Sequence, residues 1–160
     1  MNNNDVIIYT DGSSRGNPGP GGYGIVMEDC KTGFAKQYSQ GYRKTTNNRM
    51  ELLAVIEALK KLKKSGLKIS VYTDSKYVVD SVEKKWVFNW QKKRFKNKKN
   101  IDLWLEFLKI YELNNISFKW IKGHNNHPQN EVCDKLAFSA SENKPLLIDN
   151  GYENNLNKLF

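Results

Sequence analysis

Apolar residues fall in short runs along this chain, and the period of those runs changes from strand-like to helix-like. Val6-Ile7-Ile8-Tyr9-Thr10, closed by Asp11-Gly12-Ser13, predicts a strand over about 5–11. Tyr23-Gly24-Ile25-Val26-Met27 predicts a second at about 22–29, and a third covers about 33–43, with Gly33 and Gly41 near its ends. Thr45-Thr46-Asn47-Asn48 then offers capping side chains to a helix that the spacing of 50–59 carries to about Lys64, with Gly66 as its stop. A fourth strand is predicted at 69–74, a second helix from Ser75 to about Ser81, a further helix from 101 to about 114, a fifth strand at 116–120 and a last helix at about 130–142. Residues from about 144 to 160 read as a loose tail. Three consecutive strands followed by alternating helices and strands imply one α/β domain spanning 1–160. Its sheet is five-stranded and mixed, three antiparallel strands then parallel ones, with helices on both faces.

Between the first two strands lies DGSSRGNPGPGGYG, residues 11–24. It contains GPGGYG, a literal match to the G-x-G-x-x-G dinucleotide fingerprint. That fingerprint needs a helix opening at its third glycine. Here a strand pattern follows, and Pro18 and Pro20 remove two backbone N–H donors that a phosphate would use. The stretch therefore reads as a hairpin, and attention passes to the acid that opens it, Asp11.

Composition narrows the setting. The chain has 160 residues, 39% of them hydrophobic, enough for one domain with a core. No apolar run is long enough to span a membrane, and the N-terminus lacks a basic segment followed by an apolar one. Two cysteines, Cys30 and Cys133, stand in no metal-type spacing, which fits a reducing, cytoplasmic setting. The net charge is +9, and its placement matters more than its size. Residues 84–99, KKWVFNWQKKRFKNKK, hold Lys84, Lys85, Lys92, Lys93, Arg94, Lys96, Lys98 and Lys99 and no acid, interleaved with Trp86, Phe88, Trp90 and Phe95. The remainder is nearly neutral. A solvated basic helix with its aromatics packed inward would explain the segment. A surface for a polyanion, nucleic acid first, explains it better.

One echo carries the chemistry. Strand one ends Tyr9-Thr10-Asp11 and strand four ends Tyr72-Thr73-Asp74. If the strands are parallel neighbours, both carboxylates lie at the carboxyl edge of the sheet, where α/β folds place their sites. Taken singly, each Asp would read as a cap or turn former. Glu51 falls on the helical stripe of Val55, Ala58 and Leu62, which should face the sheet; burying it is costly unless something pairs with it, and nearby Arg49 is one such partner. Asp134, early in the last helix, is a fourth candidate, with a favourable position near a helix N-terminus as its plainer reading. Two carboxylates about 4 Å apart repel by roughly 4 kcal/mol at an effective dielectric of about 20, so four would need cations. Oxygen-only ligands select Mg²⁺ or Mn²⁺. Two such ions about 3.5–4 Å apart clamp the attacking and leaving oxygens of a phosphodiester. The residues alone thus point to a metal-dependent phosphodiesterase acting on nucleic acid.

At this point the chain resembles the bacterial type I ribonuclease H family. YTDGSSRGNPGPGGYG, TTNNRMELLAVIEAL, YTDSKYV, WVFNW, DLW, KWIKGHNNHPQNEVCDKLA and DNGY occur in the family's order over about residues 5–152. The resemblance implies a ribonuclease H-like fold. It also implies an endonuclease that hydrolyses the RNA strand of RNA–DNA hybrids, leaving 5′-phosphate and 3′-hydroxyl ends. The implied metal ligands are Asp11, Glu51, Asp74 and Asp134, holding two Mg²⁺ with substrate bound, with Mn²⁺ as a substitute. His124 is the implied aid to proton transfer or product release, and His127 reads as an ordinary polar loop residue. Asn17, Thr46, Asn47 and Asn48 are the implied contacts to phosphate and 2′-hydroxyls. The basic module is the implied handle on the hybrid, through Trp86, Trp90, Lys92, Lys93 and Arg94. Phe95 stands where a third handle tryptophan is common, Ser14 where some members have cysteine, and Lys76 where glutamine is frequent. The partner expected is the hybrid duplex, with no membrane, and the protein acts as a monomer. The alternatives are a non-catalytic hybrid-binding module or another nuclease of the same fold.

Overall fold

The structure is a computed structural model, and it describes residues 3–123 and 127–156. Three strands come first: β1 (Val6–Ser14), β2 (Gly19–Asp29) and β3 (Ala35–Thr45). Then follow α1 (Asn47–Lys60), β4 (Lys68–Thr73), α2 (Lys76–Glu83), α3 (Trp86–Lys92), α4 (Ile101–Tyr111), β5 (Asn115–Trp120), α5 (Pro128–Glu142) and α6 (Asn150–Leu156). The strands form one sheet in the order β3-β2-β1-β4-β5. β1 is antiparallel to β2 and β2 to β3, whereas β1–β4 and β4–β5 are parallel. This is the mixed sheet expected from the order of the patterns. GPGGYG lies within β2, with no helix opening from it.

α1 and α5 pack on opposite faces of the sheet, because alternate residues of β1 and β2 point to alternate faces. The main core lies on the α1 side. Ile8, Ile25, Met50, Leu52, Val55, Ile56, Ile69, Val71, Trp104 and Phe107 are all fully enclosed there. Glycines set how closely the helices approach. A Cβ on Gly12 would strike the backbone of Met50 at the start of α1, and one on Gly24 would strike the carbonyl of Cys133 in α5. Larger side chains would hold both helices, and the acids they carry, further from the end of β1.

α1 ends at Lys60, short of the expected Lys64, because its last bonds tighten to i→i−3: Lys61 N donates to Ala58 O and Leu62 N to Leu59 O. The lysines that follow, Lys61, Lys63 and Lys64, bring no acid to support another turn.

Where a loose tail is expected, residues 144–156 make specific contacts with the rest of the chain. Leu147 N donates to Gly41 O and Arg43 N to Leu147 O, which lays the segment along the edge of β3. Asp149 is buried, and α6 follows it. Its apolar run, Leu146-Leu147-Ile148, is too short to show a helical or strand period; the segment is fixed by edge hydrogen bonds and by ion pairs to distant residues.

In the basic module, α3 is followed by a tight return in which Arg94, Phe95 and Asn97 have positive φ. The inward packing of the aromatics is realised in part. Phe95 is buried and Trp90 packs edge-on against Trp104, while Trp86 stays 43% exposed with the Lys84 ammonium 5.3 Å from its ring.

Candidate active site

The echo Tyr-Thr-Asp is a register. Tyr9 pairs with Tyr72 in the parallel β1–β4 ladder, and their rings stack with centroids 5.3 Å apart. Two residues beyond each tyrosine, Asp11 and Asp74 emerge side by side at the carboxyl edge. Glu51, in the first turns of α1, reaches them because Gly12 lets the helix backbone touch β1. One carboxylate oxygen from each of Asp11, Glu51 and Asp74 lies within 4.8 Å of the others. Asp134 is carried by α5 where that helix lies on Gly24, the β2 partner of Asp11, and it lines the same cleft. The structure therefore brings together all four acids named from the sequence.

The cleft is electrostatically crowded. Burial first, then the charges of Asp74 and Asp134, push the Asp11 carboxyl up to about 8, although the Gly12 N–H donating to its Oδ1 at 2.9 Å works the other way. Burial and the same neighbours, Asp11 and Asp74, hold Glu51 well above the usual carboxylate range. Its Oε2 is buried with no hydrogen-bond partner among the described residues. Such an atom is costly in a folded protein unless it serves a ligand. A hard divalent cation takes oxygen ligands, and this donor set fits one.

Arg49 does not pair with Glu51, the partner the sequence allowed. Its guanidinium is bound on one side by Asp102, with contacts of 2.9 and 2.8 Å, and on the other by Asp149, with Nε to Oδ2 at 2.8 Å. Arg49 is thus committed elsewhere, and Glu51 is left to the cluster. Asp102 and Asp149 were not singled out in the sequence, although both lie in short motifs, DLW and DNGY, that carried the resemblance.

The expected substrate contacts line the approach. Thr46 caps α1, its hydroxyl accepting from Arg49 N at 3.2 Å. Asn47 Oδ1 accepts from Ser14 N at 2.6 Å, and Asn17 Oδ1 accepts from Asn47 N at 2.9 Å. Ser14, missed as a site residue, places its Oγ 3.2 Å from both amide oxygens and so joins the hairpin to the first turn of α1. Asn17, Thr46 and Asn48 share a groove with Lys98, Lys99, Asn100 and Tyr152, while Asn47 and Asn48 also border the acids. Trp86, Trp90 and Lys93 line a separate hollow of the handle; Lys92 and Arg94 are exposed beside it. His124 lies outside the described residues. His127 serves the fold, capping α5 by accepting from Asn130 N at 3.4 Å, with its ring 5.6 Å from that of Tyr9.

Comparison with known proteins agrees with this geometry. The chain is 48% identical over 150 residues to a ribonuclease H of Desulforamulus reducens, covering 91% of this chain and 92% of that one. It is 44% identical over 157 residues to one from Nitratidesulfovibrio vulgaris, covering 95% and 99%. Among solved structures it is similar to LC9-RNase H1, a type 1 RNase H with the type 2 active-site motif. The TM-score is 0.78 at 31% identity, over 99% of this chain and 83% of that one. It is also similar to LC11-RNase H1, solved in complex with RNA/DNA hybrid, with a TM-score of 0.64 at 30% identity over 86% and 96%. The RNase H family model matches residues 3–142, and with the acids converging where the strands end, the chain belongs to the RNase H family.

Proposed function

We propose that this enzyme hydrolyses the RNA strand of RNA–DNA hybrids by two-metal-ion phosphodiester cleavage, leaving 5′-phosphate and 3′-hydroxyl ends. The observation that carries the reading is the convergence of Asp11, Glu51 and Asp74 within 4.8 Å, with an orphaned Glu51 oxygen among them. Asp11, Glu51, Asp74 and Asp134 are the residues that would hold Mg²⁺, or Mn²⁺ in its place. When bound, the ions supply Lewis-acid activation of water and stabilisation of the leaving oxygen.

The protein's own groups do the rest. Asp11, on the central strand β1, would hold the ions together with Glu51, Asp74 and Asp134. Asn17, Thr46, Asn47 and Asn48 hold the backbone near the scissile bond. Their amides and hydroxyl both donate and accept, which suits a 2′-hydroxyl. The handle, through Trp86, Trp90, Lys92, Lys93 and Arg94, holds the DNA strand by its phosphates, which gives little sequence preference. His124 assists proton transfer or product release.

The test uses end-labelled RNA in three forms, single-stranded, paired with RNA and paired with DNA, each with Mg²⁺ or EDTA. Cleavage of the hybrid alone, and only with Mg²⁺, is expected. Retention of the hybrid without cleavage would replace this reading with that of a hybrid-binding module.

A further inference from the structure

Three of the acids arrive on separate elements, and one side chain outside the cluster touches all three elements. Asp11 is on β1, Asp74 follows the end of β4 and Asp134 is carried by α5. His127 immediately precedes α5, and its Nδ1 accepts from Asn130 N at 3.4 Å to cap the helix. Its ring centroid lies 5.6 Å from that of Tyr9 and 6.4 Å from that of Tyr72. Such spacings belong to packed aromatic pairs. Tyr9 stands two residues before Asp11 and Tyr72 two before Asp74, so the imidazole rests on the strands that deliver both acids. It also stands seven residues, about two helical turns, before Asp134, which puts the two on one side of α5. The rest of the helix is seated differently. A Cβ on Gly24 would meet Cys133, one on Gly22 would meet Ala137 and one on Gly41 would meet Ala140, so backbone approach fixes α5 from Cys133 onward. Cys133 Sγ also donates to Tyr9 O at 3.3 Å. Ahead of Cys133 the helix is braced by the His127 ring.

We propose that His127 is a positioning residue: its ring, seated on Tyr9 and Tyr72, aligns the first turns of α5 so that Asp134 meets Asp11 and Asp74 around a divalent cation. The proposal rests on the metal-dependent reading above. His127 touches neither substrate nor ion in this role. A helix held at one point can pivot about it. A second contact six residues away, about 9 Å along the axis, fixes its direction. Asp134 adjoins the pivot at Cys133, so the tilt and rotation of α5 decide where its carboxylate points. The imidazole suits the place because it does two things at once. One nitrogen accepts a helix N–H, while the flat ring lies against two tyrosines. Asparagine would supply the cap without the ring, and phenylalanine the ring without the cap.

The experiment compares wild type with His127→Asn, which keeps a capping side chain and removes the ring, and with Tyr72→Leu and Tyr72→Phe, which remove and restore the ring opposite it. Each is measured in steady-state cleavage of a labelled hybrid with Mg²⁺, and by thermal melting across a Mg²⁺ series without substrate. His127→Asn should lower kcat by about tenfold and leave KM for the hybrid unchanged, a loss confined to the chemical step. The Mg²⁺ concentration that gives half of the metal-dependent rise in melting temperature should increase by about tenfold. Tyr72→Leu should do the same, and Tyr72→Phe should restore both. The double variant of His127→Asn with Tyr72→Leu should be little worse than either alone, because one contact carries both effects. A lower metal-free melting temperature with kcat and Mg²⁺ dependence intact would reduce His127 to a helix cap and overturn the proposal, as would full additivity in the double variant. Wild type that binds hybrid without cutting it would overturn the parent reading instead, and the Mg²⁺ melting series, which needs no turnover, would still decide the role of His127.

Discussion

Arg49 Nε donates to Asp149 Oδ2 at 2.8 Å, an ion pair between residues 100 positions apart that joins the first turn of α1 to the C-terminal segment. Asp149 also accepts from Thr45 Oγ1 at 2.7 Å and from Tyr152 N at 3.3 Å, so one buried carboxylate serves four donors on three residues. Asp149→Ala leaves a buried guanidinium half-paired, with Asp102 alone. Breaking such a pair costs about 3–5 kcal/mol. For a domain of this size the midpoint of thermal unfolding should fall by roughly 10 °C. Melting followed by circular dichroism checks it, and an unchanged midpoint would show that the tail contributes nothing to the fold.

Asp11→Asn should behave in the opposite sense when metal is absent. Asp11 is raised to about 8 in the folded protein, by burial and by Asp74 and Asp134, against an ordinary value of 3.8. A raised acid binds its proton more tightly when folded, so metal-free stability is highest below the unfolded value and declines as pH climbs toward 8. The variant lacks this penalty. It should melt near the wild type at pH 4 and several degrees higher at pH 8, where about 1 kcal/mol corresponds to roughly 2–4 °C. It should not cleave hybrid. Titrating Mg²⁺ into wild type at pH 8 should recover the lost stability, a readout independent of turnover.

Gly24→Ala tests how α5 is placed. The added methyl meets the Cys133 carbonyl, so α5 must withdraw and take Asp134 with it. Overpacking costs about 1–3 kcal/mol. A displacement near 1 Å at a catalytic group lowers turnover by about a hundredfold. The expected result is a folded protein with kcat reduced far more than its melting temperature. Loss of stability with kcat intact would separate Gly24 from the site.

The handle makes a salt-dependent prediction. Replacing Lys92, Lys93 and Arg94 by alanine should weaken hybrid binding and flatten its salt slope, by up to about 0.9 per lost phosphate contact on a duplex. Binding measured across a salt series decides the matter, and an unaltered slope would mean the module faces elsewhere.

Lys85 precedes α3 with φ 64, a left-handed conformation with no side-chain cap to justify it. Lys85→Gly should therefore stabilise the fold by about 1 kcal/mol, the cost of placing a Cβ in that region. Denaturant unfolding gives the sign directly.

What the sequence disclosed, and what it hid, follows from the range of the interactions. Asp11 and Asp74 were legible because each closes its own apolar run and the two runs share a spelling. Glu51 was legible because a carboxylate on a core-facing stripe is anomalous within a single helix. Arg49 was misplaced as a possible partner of Glu51 because sequence proximity suggested a pair, while its true partners, Asp102 and Asp149, lie 53 and 100 residues away. The order of the tail depends on the same pairs, together with the bidentate contact of Arg43 with Glu153 at 2.9 Å, so no local periodicity announced it. The close approach of α5 was hidden because Gly24 sits inside a stretch whose glycines read first as a hairpin.

The pairing of Tyr9 with Tyr72 makes the β1–β4 ladder a ruler for the chemistry. Inserting one residue between Tyr9 and Asp11 would advance that carboxylate by about 3.3 Å and turn it to the opposite face of the sheet. The same insertion between Glu83 and Ile101 would lengthen the handle and move no acid. Tolerance of change in this molecule is therefore partitioned: the basic segment between Glu83 and Ile101 lies outside that ladder, while the two strands beneath the acids admit no alteration in length.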